Sequence, residues 1–307
     1  MKTATEETPM KVALALICTL AIVLVSCFAL AAPRVQVVAK SPYSGAIAID
    51  AATGRVLFED NADAKGYPAS ITKLMVLLII LEGAEAGHLT LDEPVTVTAQ
   101  ASRIGGSQVY LKEKEVFSVD ELLYALIVQS ANDAATALAI HYAGSKGAFV
   151  DLMNRRAQEI GMKDTIFRSV HGLPPGRGQL PDVSTPRDIA RLCRELLRKP
   201  RALKYTSTRR RLFRTDAAEP FMMVNHNRLL GSVRGCDGLK TGYFRAAGFS
   251  IAATAAVSGK RAIAVVLGSV NGKARNAKAK EILAEGLREL LSASQASVPA
   301  GTGRSSR

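Results

Sequence analysis

Between Ile71 and Leu81 the chain reads ITKLMVLLIIL, in which only Thr72 and Lys73 are polar. Pro68-Ala69-Ser70 stands before it as a helix opening, so the stretch predicts a helix from Ser70 to about Leu81 that is apolar nearly all round. A helix without a polar face has to be covered on every side, so the remaining chain must be wrapped around it. With 307 residues, enough for one large domain or two small ones, there is ample material to do that. Charged residues at 22% and hydrophobic residues at 48% exclude a disordered chain, a collagen-like repeat and a disulfide-stapled miniprotein. No fixed-period repeat argues for a solenoid.

The flanks show what does the wrapping. Ser44–Ala51 (SGAIAIDA) alternates, turns at Thr53-Gly54 and returns through Arg55–Phe58, which predicts a β-hairpin. A short strand is expected near Val95–Val97. Helices are expected at Val119–Ile127, Ala131–Tyr142 and Phe149–Ile160, with a break at Gln129-Ser130. Gly172–Asp182 is rich in Pro and Gly and reads as a loop. Thr185-Pro186-Arg187-Asp188 carries a helix start: Thr185 as N-cap, Pro186 at the first helical position and Asp188 in the capping-box place, with the helix running to Arg198. Strand-like runs follow at Arg210–Arg214, Gly235–Thr241, Gly248–Ala256 and Ala262–Gly268, then a helix at Ala277–Leu291. Strands therefore open and close the chain around a helical block. The fold class is α/β of the α+β type: a mainly antiparallel sheet, in which both ends of the sequence meet, flanked by helices and with an inserted helical subdomain.

Val12–Ala32 carries no charge, follows Lys2 and Lys11 and ends at Pro33-Arg34. Three readings stay open. It is a signal peptide cleaved at Ala29-Leu30-Ala31, a retained membrane anchor, or, through Leu24-Val25-Ser26-Cys27, a lipoprotein signal that acylates Cys27. Each exports the rest, to the periplasm or the outer face of the cytoplasmic membrane. The expected organisation is export segment 1–32, catalytic domain 33–292 and a disordered basic tail 293–307. Cys193 and Cys236 remain as a possible pair in an oxidising compartment, although nothing in the sequence brings them together. Without CxxC, HExxH or ligand-spaced histidines, neither a metal nor another cofactor is expected.

Ser70 and Lys73 place a hydroxyl and an amine at i and i+3 on one helical face, at a helix N-terminus where N–H groups favour developing negative charge. Burial lowers the proton affinity of a lysine, so Lys73 can act as a neutral base for Ser70. The alternative is a serine cap beside a lysine reaching for solvent. It is strained here, because the residues that follow are apolar on every side. Ser130-Ala131-Asn132 falls in the break between two helices and can project a hydroxyl and an amide into a cleft; simple helix capping is the alternative, and the pattern recurs at Ser269-Val270-Asn271. Lys240-Thr241-Gly242 ends a strand. A lysine and a hydroxyl together recognise a carboxylate, and Gly242 admits close approach, but alternation lets only one side chain enter a given cleft unless the strand lies at an edge.

In this order, serine-x-x-lysine, serine-x-asparagine and lysine-threonine-glycine mark penicillin-binding proteins and class A β-lactamases. From about Ser44 to Leu291 the chain resembles the serine D-alanyl-D-alanine carboxypeptidases, the low-molecular-mass penicillin-binding proteins. The resemblance rests on Pro68–Met75, Gln129–Ala134, His171-Gly172-Leu173 and Asp237–Tyr243. It implies a β-lactamase/transpeptidase-like fold. It also implies that Ser70 attacks the penultimate D-Ala of a peptidoglycan stem, Lys73 takes its proton and Ser130 passes one to the departing D-Ala. Asn132 would hold the substrate backbone, and Lys240 and Thr241 its terminal carboxylate. Gly242 and Tyr243 would line the cleft, the N–H groups of Ser70 and Tyr243 forming the oxyanion hole. β-Lactams are the implied inhibitors.

Three departures from the family pattern are visible. Phe244 replaces a common threonine, which implies a lost hydroxyl near the substrate carboxylate. The short sequence after Leu291 implies neither a second β-rich domain nor a C-terminal amphipathic helix. Ala131 stands where class A β-lactamases have Asp, and Glu159, expected on the polar side of its helix, is no counterpart of their deacylating Glu, so a penicillin adduct should turn over slowly. The competing functions are a D-alanyl endopeptidase acting on cross-links, a β-lactamase and a non-catalytic sensor. The net charge of +13 and the basic run Arg201–Arg214 suit a solvated face or an anionic membrane or wall surface; a nucleic-acid partner is not expected of an exported domain without interleaved aromatics. Asp133 is expected to lock its helix and His171 its loop.

Overall fold

The computed structural model describes residues 35–296. The export segment, with its three readings, lies outside the described residues, as does the tail beyond 296. Alternation at Gly45–Asp50 (β1) and Val56–Asp60 (β2) produces the expected antiparallel hairpin. A 3-10 turn, Ala69–Thr72, leads into helix α1 (Lys73–Glu85). Then come β3 (Pro94–Thr96), the short α2 (Ala99–Ser102), β4 (Val116–Ser118) and α3 (Val119–Tyr124). A π turn over Ala125–Gln129 precedes α4 (Asn132–Ala143) and α5 (Lys146–Glu159). After the loop come α6 (Pro186–Leu196), α7 (Ala202–Thr206), the hairpin β5 (Arg210–Phe213) and β6 (Phe221–Val224), β7 (Cys236–Phe244), β8 (Gly248–Val257), β9 (Lys260–Ser269) and α8 (Gly272–Ala296). Residues 35–175 with 180–296 form one unit. Gly176–Gln179 is a separate tight turn, closed by the Gln179 N–H on the Gly176 carbonyl at 3.0 Å.

The main sheet is antiparallel in the order β2-β1-β9-β8-β7, so the first and last strands of the chain, β1 and β9, pair at its centre. Strand alternation divides its residues between two cores. Ala46, Ala48, Ala253, Ala255 and Ala264 face α8 and meet Ile282, Leu283, Leu287 and Leu290. Small side chains on the sheet let that helix lie close. The opposite parity, with Ile47, Ile49, Ile263, Val265 and Leu267, joins the core of the helical insertion. Leu74 to Leu81 all lie at 6% exposure or less, so α1 is covered on every side as its sequence requires. At about 1.5–3 kcal/mol per fully buried aliphatic side chain, this helix is a principal source of stabilisation.

Several expectations shift. The helix predicted from Ser70 begins as a 3-10 turn, with Ala69 at φ +49°. Thr185 caps α6 by accepting from the Asp188 N–H at 3.1 Å, but the Asp188 carboxylate does not complete a capping box. It accepts instead from the Asp164 N–H (2.8 Å), Thr165 Oγ1 (2.9 Å) and Arg191 (2.6 Å), because a buried acid is better satisfied by three tertiary donors than by one local one. Helix α8 runs on to Ala296, so 293–296 is helical where tail was expected. Strands β4 and β6 and helices α2 and α7 had no legible pattern, each being shorter than the window in which periodicity shows. Cys193 is buried in α6, Cys236 lies on β7, and both are free. Glu159 is on the polar side of α5, paired with Arg156 at 3.2 Å.

Candidate active site

Three elements converge on Lys73, the first residue of α1. Its side chain is fully buried, and Nζ lies 3.1 Å from Ser70 Oγ, 2.7 Å from Asn132 Oδ1 and 2.8 Å from the His171 carbonyl oxygen. The last two partners can only accept. A neutral amine has two hydrogens, which they take, and its lone pair is left for the Ser70 hydroxyl proton. The amine is driven towards that neutral form: burial, and then the charge of Lys240, hold Lys73 well below the usual lysine range against the opposing pull of Asp182 and Asp133. The side chain therefore has the geometry and the protonation of a base for Ser70.

Ser130 ends the π turn at φ +62° and is buried, and its hydroxyl makes no hydrogen bond among the described residues. Asn132, two residues on, is held by its N–H on the Ser107 carbonyl (2.7 Å) and by Nδ2 on the Gly105 carbonyl (2.7 Å). With Oδ1 on Lys73, one Nδ2 hydrogen remains for a ligand. Asp133 locks more than its helix. Its buried carboxylate accepts from the N–H groups of Val109 (3.1 Å) and Leu111 (3.0 Å) and so fixes the loop against which Asn132 rests. His171 fixes its own loop through Nδ1, which accepts from the Leu173 N–H at 3.2 Å, and burial pushes it down to about 3, which leaves it uncharged at neutral pH.

Strand β7 is the edge of the main sheet, so the condition for a lysine and a threonine to serve one cleft is met. At Gly242 a Cβ would come within 2.4 Å of the Pro68 carbonyl oxygen and 3.2 Å of the Ser70 nitrogen, so only glycine allows β7 this close to the Ser70 turn. Gly172 approaches the same turn from the other loop, with the Ala69 carbonyl oxygen 1.9 Å from where its Cβ would stand. Lys240 is 2% exposed, and its Nζ donates only to the Thr241 carbonyl (3.1 Å). Burial, and then the charge of Arg275, lower it to about 7. The Thr241 hydroxyl is unpaired among the described residues, and Tyr243 is 55% exposed against Phe249. Phe244 is buried, stacked on Tyr67 at 5.8 Å and packed on Ala69 and Ala247, so its aromatic ring braces the Ser70 turn.

Two residues of the neighbourhood escaped the sequence reading. Asp182 is buried, with its pKa raised by that burial, and accepts from Thr72 Oγ1 (3.0 Å), Ser169 Oγ (3.0 Å) and the N–H groups of Arg168 (2.7 Å) and Ser169 (2.9 Å), tying the loop to α1. A lone acid in a Pro/Gly-rich loop gives no local signal. Arg275 is 7% exposed and has no carboxylate partner among the described residues; it donates to the Ser250 carbonyl (3.3 Å) and Asn276 Oδ1 (3.0 Å), and burial lowers it to about 10. Its position was a signal, since a cation in the first turn of a helix opposes the dipole. Lys240 and Arg275 together leave a buried positive region open to an anion, beside the neutral Lys73 amine. A surface groove of about 640 Å³, lined by α6, the end of α5 and the β1–β2 hairpin, holds no such pair of nucleophile and base.

Comparison with known proteins gives the same direction. Residues 29–271 match the family described as D-alanyl-D-alanine carboxypeptidase, peptidase S11. The chain is 36% identical over 238 residues to the D-alanyl-D-alanine carboxypeptidase DacF of Bacillus subtilis, covering 78% of this chain and 60% of that protein. It is 36% identical over 250 residues to DacC of Escherichia coli, again covering 60% of the relative, so it spans about 60% of the length of the curated relatives it matches. Penicillin-binding protein D2 of Listeria monocytogenes, solved with ampicillin bound, superposes with a TM-score of 0.71 at 31% identity, covering 83% of this chain and 99% of that one. The carboxypeptidase DacD of Francisella tularensis superposes with a TM-score of 0.74 at 28% identity over 83% of this chain and 72% of that one. Because the family match extends from before the first strand to beyond the last, and because DacF and DacC share over a third of their aligned residues with it, this chain belongs to the D-alanyl-D-alanine carboxypeptidase family of serine peptidases.

Proposed function

We propose that the protein is a serine D-alanyl-D-alanine carboxypeptidase that removes the terminal D-Ala from a peptidoglycan stem pentapeptide. The observation that carries this reading is the Lys73 amine, buried, with two carbonyl acceptors and its third contact on Ser70 Oγ. Ser70 Oγ bonds to the penultimate D-Ala carbonyl carbon as its proton passes to Lys73. The C–N bond breaks, the leaving amine takes a proton through Ser130, and water then hydrolyses the ester to free the shortened stem and Ser70. Lys240, Thr241 and the charge of Arg275 hold the terminal carboxylate, and the free Nδ2 hydrogen of Asn132 holds the stem. The N–H groups of Ser70 and Tyr243 bind the oxyanion, a role in which one donor is worth about 2.7–4 kcal/mol. A β-lactam acylates Ser70 in the same way and is released slowly. The export features at Val12–Ala32 support a location of this chemistry outside the cytoplasm; among the described residues no helix is long and apolar enough to cross a membrane.

Mass spectrometry of a digested pentapeptide should show loss of one Ala, and fluorescent penicillin should label the wild type but not Ser70→Ala. Cleavage only of cross-linked dimers, into two stems with no alanine released, would transfer the assignment to an endopeptidase, and labelling of the alanine variant would falsify Ser70 as nucleophile.

The lysines also set a pH profile. Carboxylate binding needs Lys240 charged, so activity falls as pH rises through its value of about 7 in the free protein. A bound carboxylate favours the ammonium and raises that value. The alkaline limb should therefore lie near pH 7 in kcat/KM and at higher pH in kcat. Identical limbs in both profiles would remove Lys240 from substrate binding.

A further inference from the structure

The basic run Arg201–Arg214 separates into two groups in the fold. Lys204 bonds Asp120 at 2.7 Å, Arg214 bonds Glu115 at 2.7 Å, and Arg211 lies over the Tyr124 ring at 3.8 Å. Arg209 and Arg210 have no carboxylate partner among the described residues, and neither does Arg228 from the turn after β6. These three line one cleft of about 230 Å³, whose walls contain no acid. The Arg209 guanidinium lies over Gly231, where a Cβ would come within 2.9 Å of it, so glycine makes the room. The amides in the wall are committed elsewhere: Asn225 Nδ2 donates to the Thr208 carbonyl (3.0 Å) and Asn227 Nδ2 to the Gly238 carbonyl (2.9 Å). The donors left to a ligand are three arginine forks, whose planar geometry suits the paired oxygens of a phosphate. Like charges gathered without a counter-charge repel one another, and an oxyanion between them reverses that. On the outer face of the same hairpin, Arg210 neighbours the cross-strand pair Leu212 and Met222, 44% and 48% exposed.

We propose that Arg209, Arg210 and Arg228 form a binding site for phosphate groups, distinct from the Ser70 cleft. The phosphate comes from a soluble compound or from a lipid headgroup, and the exposed Leu212–Met222 pair is the feature that suits the second source. The full chain in neutral detergent is titrated with inorganic tripolyphosphate by calorimetry. Saturable binding is expected at low salt, weakening as ionic strength rises and by about tenfold or more in Arg209→Gln/Arg210→Gln/Arg228→Gln. Thermal stability and penicillin labelling should be unchanged in that variant. Removing three charges at Lys112, Lys114 and Lys163 should leave affinity intact. No binding by the wild type, or equal weakening by the two sets of substitutions, overturns the site. Displacement of tripolyphosphate by phosphatidylglycerol in the micelle assigns the lipid source; its failure to displace assigns the soluble one.

Discussion

Lys73→Ala and Lys73→Arg are both expected to acylate Ser70 with penicillin about 10²–10⁴-fold more slowly than the wild type, the usual range for removing a general base. The pair separates two roles. Alanine leaves Asn132 Oδ1 and the His171 carbonyl without their donor, so it disturbs the site as well as the chemistry. Arginine keeps donors for both but cannot surrender a proton near neutral pH. Stopped-flow acylation on protein whose fold is checked by near-UV circular dichroism decides the matter. If arginine acylates at close to the normal rate, Lys73 only orients Ser70 and another group is the base.

Gly242→Ala and Gly172→Ala are expected to damage the site through backbone clash. In each case the opposing atom is a main-chain carbonyl oxygen of the Ser70 turn, 2.4 and 1.9 Å from the added carbon, and it has no rotamer by which to move away. Overpacking of this kind costs about 1–3 kcal/mol, and Gly172 adds the strain of a side chain at φ +73°. For a domain of this size that corresponds to a fall of about 2–4 °C in Tm per kcal/mol. Because β7 is pushed from Ser70, acylation should fall more steeply than stability. Gly87→Ala is the control: its φ of +75° carries the same backbone strain, but nothing lies within 4 Å of its added carbon. Equal acylation rates in Gly242→Ala and Gly87→Ala would mean that the close approach of β7 has no role in the chemistry.

Much of the molecule follows from local chemistry. The hairpin of β1 and β2 is written in alternation and a Thr-Gly turn, the α6 cap in Thr185-Pro186, and the total burial of α1 in its lack of a polar face. The nucleophile–base pair is also local, because three residues along a helical turn bring Ser70 and Lys73 to one side wherever that turn is placed. Asn132 and Lys240 are different. Their residue types stand in the sequence, but their meeting with Ser70 depends on the break at Ser130 and on β7 being an edge strand. The sheet order decides that, and no local periodicity encodes it.

The side chains that tune the site were decided by tertiary structure alone. Asp182 reaches Thr72 across 110 positions of chain, and Lys240 is depressed by burial and then by Arg275, whose nearness to it the first-turn position of that arginine does not reveal. Phe244 stacks on Tyr67 across 177 positions of chain, a contact that no local pattern announces. The physical reason is common to all three. Helix and strand patterns arise from interactions a few residues apart, which the order of side chains specifies directly. Desolvation and the electric field at a buried amine are sums over everything folded around it, and they exist only once the chain has closed.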